Sequence, residues 1–224
     1  MIIAWLPLII AYLLGGIPFG LVIARIWGID DIRRHGSGNI GATNVWRIAG
    51  WKAALWVFAF DIGKGVLAVL IAQLWSQNVS SVAIDTDIWL AVCGLAAILG
   101  HVFPVFLGFR GGKGVNTALG VMIMLLPLES AIAAAIFVLA LAISRFVSLS
   151  SIAASLTFTG YTCYEKFVAE KDISGFLVSL SIGVAILIVA THRKNISRLI
   201  SGTENRIRFR NHGKDKQPKV ASHV

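Results

Sequence analysis

Three polar, glycine-rich blocks interrupt a sequence that is otherwise apolar. The first is Ser37-Gly38-Asn39-Ile40-Gly41-Ala42-Thr43-Asn44, closing at Arg47. The second is Gly108-Phe109-Arg110-Gly111-Gly112-Lys113-Gly114, and the third His192-Arg193-Lys194-Asn195-Ile196-Ser197-Arg198. Glycine lets backbone N–H groups turn toward an anion, Asn and Ser are short hydrogen-bond arms, and Lys and Arg bring charge. That mixture suits a phosphate-bearing ligand at a membrane surface.

The second block is the most phosphate-like. Gly111-Gly112-Lys113-Gly114 stands just before a helix predicted from Val115, so converging amides and a partial positive dipole meet the Lys113 charge. It is not a Walker A loop: Leu107 occupies the place of the first Gly, and Gly114 that of the Ser/Thr. A tight turn carrying topological charge is the plainer reading of the same residues. In the first block a helix beginning near Ala42 puts Thr43 and Arg47 on one face, while Asn39 and Asn44 also read as turn residues. In the third, His192 and Asn195 are three apart and face the same place, although a cationic helix C-terminus would look similar.

Other chemistries leave no trace. His35 stands where a serine nucleophile elbow at Ser37 needs Gly. An HxxxxD acyltransferase motif is absent, since Ile40 follows His35 and Phe106 follows His101 at that spacing. Few carboxylates lie near the blocks, which disfavours a metal-dependent phosphotransferase. Cys93 and Cys163 sit in apolar runs without CxxC spacing and read as inert thiols.

The elements that hold these blocks are membrane helices. Of 224 residues 57% are hydrophobic and 14% charged, too few charges to cover a soluble surface. The apolar stretches are long runs rather than alternating ones, which excludes a β-barrel. The formal charge of +9 would suggest nucleic acid in a soluble protein. Here the cations flank apolar runs and mark the cytoplasmic side. The expectation is an all-α polytopic bundle of seven crossings, near 2–24, 51–75, 88–108, 115–126, 129–144, 147–164 and 173–191, where a full crossing takes about 20 residues; 115–126 and 129–144 are short helices, and a single tilted span is the competing reading. Gly15, Gly16 and Pro18 predict a bend in the first crossing. Pro127 divides 115–144, which as a single helix would be about 45 Å long. Asp61 and Lys64, three apart within the second crossing, are placed to pair.

The run to Ala24 has no positive region before it, which predicts a retained span with the N-terminus outside. Seven crossings then put the C-terminus inside, and gather Arg25, Arg33, Arg34, Arg47, Arg110, Lys113, Arg145 and the basic tail on one side. The connector 165–172, with two lysines outside, is the exception. One domain, 1–202, is expected, followed by a disordered basic tail, 203–224, drawn to anionic headgroups.

In order and spacing, three longer motifs are similar to those of one family. They are Ser37-Gly38-Asn39-x-Gly41-x-Thr43-Asn44-x-x-Arg47, Gly100-His101-x-Phe103-Pro104-x-Phe106-x-x-Phe109-Arg110-Gly111-Gly112-Lys113-Gly114-Val115, and His192-x-x-Asn195-Ile196-x-Arg198-Leu199-x-x-Gly202-x-Glu204. They resemble the signatures of the bacterial acyl-phosphate:glycerol-3-phosphate acyltransferases, the PlsY family, over the whole length. Arg110 stands where Lys is common and Asn116 where Ala is usual. The resemblance implies a multi-pass enzyme of the bacterial inner membrane with its site facing the cytoplasm. It implies acyl transfer from acyl phosphate to the 1-hydroxyl of sn-glycerol 3-phosphate, giving lysophosphatidic acid and phosphate, the opening step of phospholipid synthesis. Neither cofactor nor metal is implied, and a transient contact with the enzyme that makes acyl phosphate is.

Carried onto this chain, the resemblance assigns acyl phosphate to Gly111, Gly112, Lys113 and Gly114. It assigns glycerol 3-phosphate to Ser37 and Arg47, in a pocket shaped by Asn39, Thr43 and Asn44. The catalytic set is Ser37, Arg47, Lys113, His192 and Asn195. His192 is the side chain placed to act as base or to orient the hydroxyl; the substrate's own phosphate is the alternative proton acceptor. His101 and Glu204 support the site, the latter by pairing with Arg198 or Arg206. A phosphate transporter would instead place its cations near the bilayer midplane, and a membrane scaffold would not need the blocks.

Overall fold

The computed structural model describes residues 5–78 and 85–207, and all regular structure among them is helical. The first apolar run forms α1 (Leu6–Gly16) and α2 (Phe19–Ile26), bent by 41°. Pro18 lacks the N–H that a continuous helix would use, so the break falls there. A loop leads to α3 (Ala42–Ala49), which ends at Gly50 with φ +87°; α4 (Trp51–Asn78) follows. Then come α5 (Thr86–Val102), capped by Asp85, and α6 (Val115–Leu125). Pro127 opens α7 (Pro127–Ser144), so the long 115–144 run is two helices, as its proline predicts. α8 (Val147–Phe167), α9 (Gly175–Thr191) and α10 (Arg193–Ile200) complete the order, with a 59° bend between α9 and α10.

Small residues set how closely these helices approach. A Cβ on Gly65 of α4 would meet the backbone oxygen of Thr117, and one on Gly120 of α6 that of Ile62. The two helices therefore touch backbone to backbone, which side-chain-bearing residues there would prevent. Ile98, Val121, Met122, Phe158, Val184 and Ile188 fill a core among α5, α6, α8 and α9. Ile23, Ile32, Val45 and Val57 form another around α2, α3 and α4. Large apolar side chains also face outward: Val138, Ile143 and Ile186 are exposed on the perimeter. Water would make such an exterior unfavourable, whereas lipid makes it natural.

Among the described residues three helical segments, α4, Thr86–Leu107 (α5 and the short turn after it) and α7, are long and apolar enough to cross a membrane, or up to five if each bent pair counts as one span. At 11 residues α6 rises about 16 Å, roughly half the hydrocarbon thickness. Asp61 Oδ1 and Lys64 Nζ pair at 2.8 Å inside the bundle, as their spacing predicts. The start of the basic tail is packed rather than loose: Ile207 is buried, and its N–H donates to Arg145 O at 2.8 Å. The rest of the expected tail, 208–224, lies outside the described residues, as do 1–4 and 79–84 of the expected outer segments.

Candidate active site

The first block folds around one side chain. Asn44 is buried at the start of α3, and its Nδ2 donates to Ile32 O at 3.3 Å, His35 O at 3.1 Å and Asn39 O at 2.9 Å. Its Oδ1 accepts the Ser37 N–H at 2.9 Å. Asn39 Oδ1 accepts the Gly41 N–H at 2.8 Å, an Asx turn that leads into the helix. Asn39 and Asn44 thus hold the loop in shape, while Ser37, Thr43 and Arg47 line a cavity beside it. Arg47 lies one turn after Thr43 and reaches across to Asn205 O at 3.3 Å.

In the second block the glycine amides do not all face the cavity. The Gly111 N–H donates to Val102 O and the Gly112 N–H to His101 O, each at 3.0 Å. These bonds fold the loop back onto the end of α5. Gly114 then takes φ +82°, a left-handed conformation that suits glycine, and opens α6 without a side-chain cap. The amides of the first turn of α6 have no acceptor within the helix, so they carry the partial positive charge toward the cavity. Gly111 and Gly112 therefore shape the loop, and the amides left free of helix acceptors lie just after them.

Lys113 leaves this loop and meets the third block. Its Nζ donates to Asn195 Oδ1 at 2.6 Å, and its backbone oxygen accepts from Thr191 Oγ1 at 3.2 Å. Asn195 Nδ2 donates to Glu204 Oε1 at 2.7 Å. Glu204 also accepts from Ser148 Oγ at 2.9 Å and from Arg198 Nε at 2.7 Å. Arg198 is thus the partner of Glu204, whereas Arg206 lies over the Phe146 ring. Burial works to raise the Glu204 carboxyl, but donation from Asn195, Arg198 and Ser148 outweighs it and holds the group below the usual carboxylate range. Burial, with the Arg198 and Arg47 charges adding to it against Glu204, pushes the Lys113 amine down to about 8.

His192 is buried at the bend just past α9, with Nδ1 2.7 Å from Ile188 O. A carbonyl can only accept, so Nδ1 carries the hydrogen, and in the neutral ring Nε2 is left as the acceptor. Burial and the nearby Lys113 charge push the imidazole down to about 4. At neutral pH it is therefore an uncharged ring with one basic nitrogen.

The three blocks surround a single cavity of about 610 Å³, also lined by His101, Glu204 and Arg198. Five residues (Phe58, Val115, Asn116, Phe137 and Ser151) belong both to it and to an apolar groove of about 270 Å³ among α6, α7, α8 and α9. A cavity carrying charged side chains thus runs into an apolar groove. One feature of the site escapes the sequence reading: Ser148 lies in an apolar run, where only the Ser148-x-Ser150-Ser151 cluster hints at it.

The family model for glycerol-3-phosphate acyltransferase matches residues 5–202. A glycerol-3-phosphate acyltransferase of Geotalea daltonii is 48% identical over 195 residues, covering 87% of this chain and 93% of its own. Glycerol-3-phosphate acyltransferase 2 of Bacillus anthracis is 40% identical over 202 residues, covering 90% and 98%. Two crystal structures of PlsY (YgiH), an integral membrane glycerol 3-phosphate acyltransferase, are similar to this fold. The glycerol 3-phosphate form has TM-score 0.79 and 42% identity, covering 91% of this chain and 95% of that one. The lysophosphatidic acid form has TM-score 0.76 and 41% identity, covering 91% and 94%. With three polar blocks converging on one cavity in an apolar helical bundle, the chain belongs to the glycerol-3-phosphate acyltransferase family and is a membrane acyltransferase.

Proposed function

We propose that this protein transfers an acyl group from acyl phosphate to the 1-hydroxyl of sn-glycerol 3-phosphate, the first acylation of bacterial phospholipid synthesis. The observation that carries this is the junction of the cation-lined cavity with the apolar groove. Arg47, Lys113, Lys194 and Arg198 line the cavity with two carboxylates, Glu204 and an Asp61 that Lys64 already pairs, which leaves positive charge for phosphate. The groove offers an acyl chain a path between helices to the bilayer. Relatives crystallised in glycerol 3-phosphate and lysophosphatidic acid forms support the acceptor and the product.

Acyl phosphate sits with its phosphate at the start of α6 and against Lys113, the loop being shaped by Gly111, Gly112 and Gly114. Glycerol 3-phosphate sits against Ser37, Thr43 and Arg47, in a wall that Asn39 and Asn44 hold in place. The acceptor hydroxyl oxygen attacks the acyl carbon, the bond from that carbon to the bridging phosphate oxygen breaks, and phosphate leaves with the electron pair. Lys113 and the helix amides stabilise the charge that gathers on that phosphate. Nε2 of His192 takes the hydroxyl proton, and Asn195 holds Lys113 in register. His101 and Glu204 support from behind. The donor is already activated, so the reaction asks for no cofactor.

The meeting of helix ends supports a topology. Lys113, before α6, bonds to Thr191 at the end of α9 and to Asn195 of α10, Arg145, after α7, to Ile207, and Arg47 to Asn205. The helices α4 and α5, α6 and α7, and α8 and α9 thus run out and back as pairs. With the bent α1–α2 this makes seven crossings, with the N-terminus outside and the basic C-terminal residues inside. The site then faces the cytoplasm of the inner membrane, where the enzyme that makes acyl phosphate can dock transiently.

The test is phosphate release by purified protein in lipid, given palmitoyl phosphate and glycerol 3-phosphate, with Lys113→Ala beside it. Acceptor-dependent release that vanishes in the variant supports the reading. No release from folded protein overturns it in favour of a phosphate transporter.

A further inference from the structure

Beneath the glycine loop lies a buried polar chain of which acyl transfer, as described above, uses only His101, as a support. Lys64 Nζ donates to Ile17 O at 3.0 Å, at the break between α1 and α2, and pairs with Asp61 Oδ1 at 2.8 Å. The same Asp61 oxygen faces His101 Nδ1 at 3.6 Å, an electrostatic contact longer than a hydrogen bond. Asp61, Lys64 and His101 are all buried, and Asp61 and His101 border the cavity. The other imidazole nitrogen, Nε2, lies against Gly112: a Cβ there would collide with it. His101 also accepts the Gly112 N–H through its backbone oxygen. The ring is therefore held between a carboxylate and the residue just before Lys113.

We infer that Asp61 is a positioning residue for acyl transfer: through the His101 imidazole it fixes Gly112, and so sets where Lys113 and the first turn of α6 meet a phosphate. A buried ion pair is a weak source of stability, because desolvation offsets the attraction, so a role in placing other groups gives it a reason to be there. Its far anchor at Ile17 ties the aim of the loop to the break in the first helix pair. The inference rests on the proposed reading in one respect, that the loop holds the donor phosphate.

The experiment uses the full chain in lipid, with KM measured separately for palmitoyl phosphate and glycerol 3-phosphate. Asp61→Asn keeps the shape and removes the charge. The expected result is a rise of about tenfold or more in KM for palmitoyl phosphate, with kcat within about threefold, since small misplacements of binding groups are costly. A rise in KM for glycerol 3-phosphate alone would uphold the positioning role but overturn the assignment of the donor to this loop. Unchanged values for both substrates would overturn the inference.

A second comparison reads the contact directly, should Asp61→Asn fail to fold with Lys64 left unpaired. Gly112→Ala forces a methyl into the imidazole and should raise the same KM by about 100-fold; in a His101→Ala background, which empties that space, the same change should cost less than about threefold. An equal cost in both backgrounds means the ring does not hold the loop and overturns the inference.

Discussion

Lys113 Nζ donates to Asn195 Oδ1 across 2.6 Å, joining two residues 82 apart in the chain. This bond ties the glycine loop to the helix that follows the last long span, and the other face of Asn195 rests on Glu204. The lysine is thus aimed by an amide that is itself held. A hydrogen bond to a charged group contributes about 1.5–3 kcal/mol. Asn195→Ala should therefore lower kcat/KM for acyl phosphate roughly 10- to 100-fold. Steady-state phosphate release checks this, and wild-type kinetics would show that Lys113 aims itself.

The pH dependence of donor use should report Lys113. Its amine is depressed to about 8, so the charged form that attracts phosphate prevails below that pH and is lost above it. Donor kcat/KM should fall as pH rises through 8, more steeply than acceptor kcat/KM. Lys113→Arg, which stays charged throughout, should remove that fall in whatever activity it retains. Rate profiles from pH 6 to 10 decide the matter.

The Ile188 carbonyl fixes which nitrogen of His192 is left to accept, while burial and the Lys113 charge keep the ring uncharged. If it takes the proton, His192→Ala should lower kcat about 10²- to 10⁴-fold with little change in either KM. A loss of only about tenfold would assign the proton to the substrate's own phosphate instead. Its depressed imidazole places any histidine-linked loss of rate near pH 4 rather than near 6.5.

Glu204 collects three donors from α8, α10 and Asn195. Glu204→Gln keeps the shape but turns one oxygen into a donor facing Arg198 or Asn195. The variant should lose thermal stability in detergent by about 1–3 kcal/mol, together with activity, because the Arg198 guanidinium or the Asn195 amide is left unpaired. Unfolding followed by tryptophan fluorescence, alongside kcat/KM, separates this from a purely catalytic loss.

The α4–α6 crossing depends on glycine at two facing positions. Gly120→Ala would push a methyl into Ile62 O, and overpacking of this kind costs about 1–3 kcal/mol. A lower thermal midpoint with unchanged KM values for the surviving enzyme is expected. Altered KM with an unchanged midpoint would mean that the crossing tunes the site rather than the fold.

Much of the molecule is legible in the one-dimensional pattern, and the reason is local. Long apolar runs with few charges specify helices in lipid, Pro18 and Pro127 specify where two of them break, and glycines before Val115 specify a turn opening a helix. Thr43 and Arg47, or Asp61 and Lys64, fall on one helical face by spacing alone. Three motifs in order carry the family. Tertiary structure decides what each residue does once there. Asn44 has the composition of a ligand-binding side chain, yet packing makes it the pin of its own loop. Gly111 and Gly112 have the composition of an anion cradle, yet the end of α5 takes their amides. Ser148 enters the site, and Asp61 comes to face His101, because distant helices meet there. Helical periodicity is a property of neighbours within a few residues. A hydrogen bond between helices depends on how whole elements pack, and no stretch of sequence contains both of its ends.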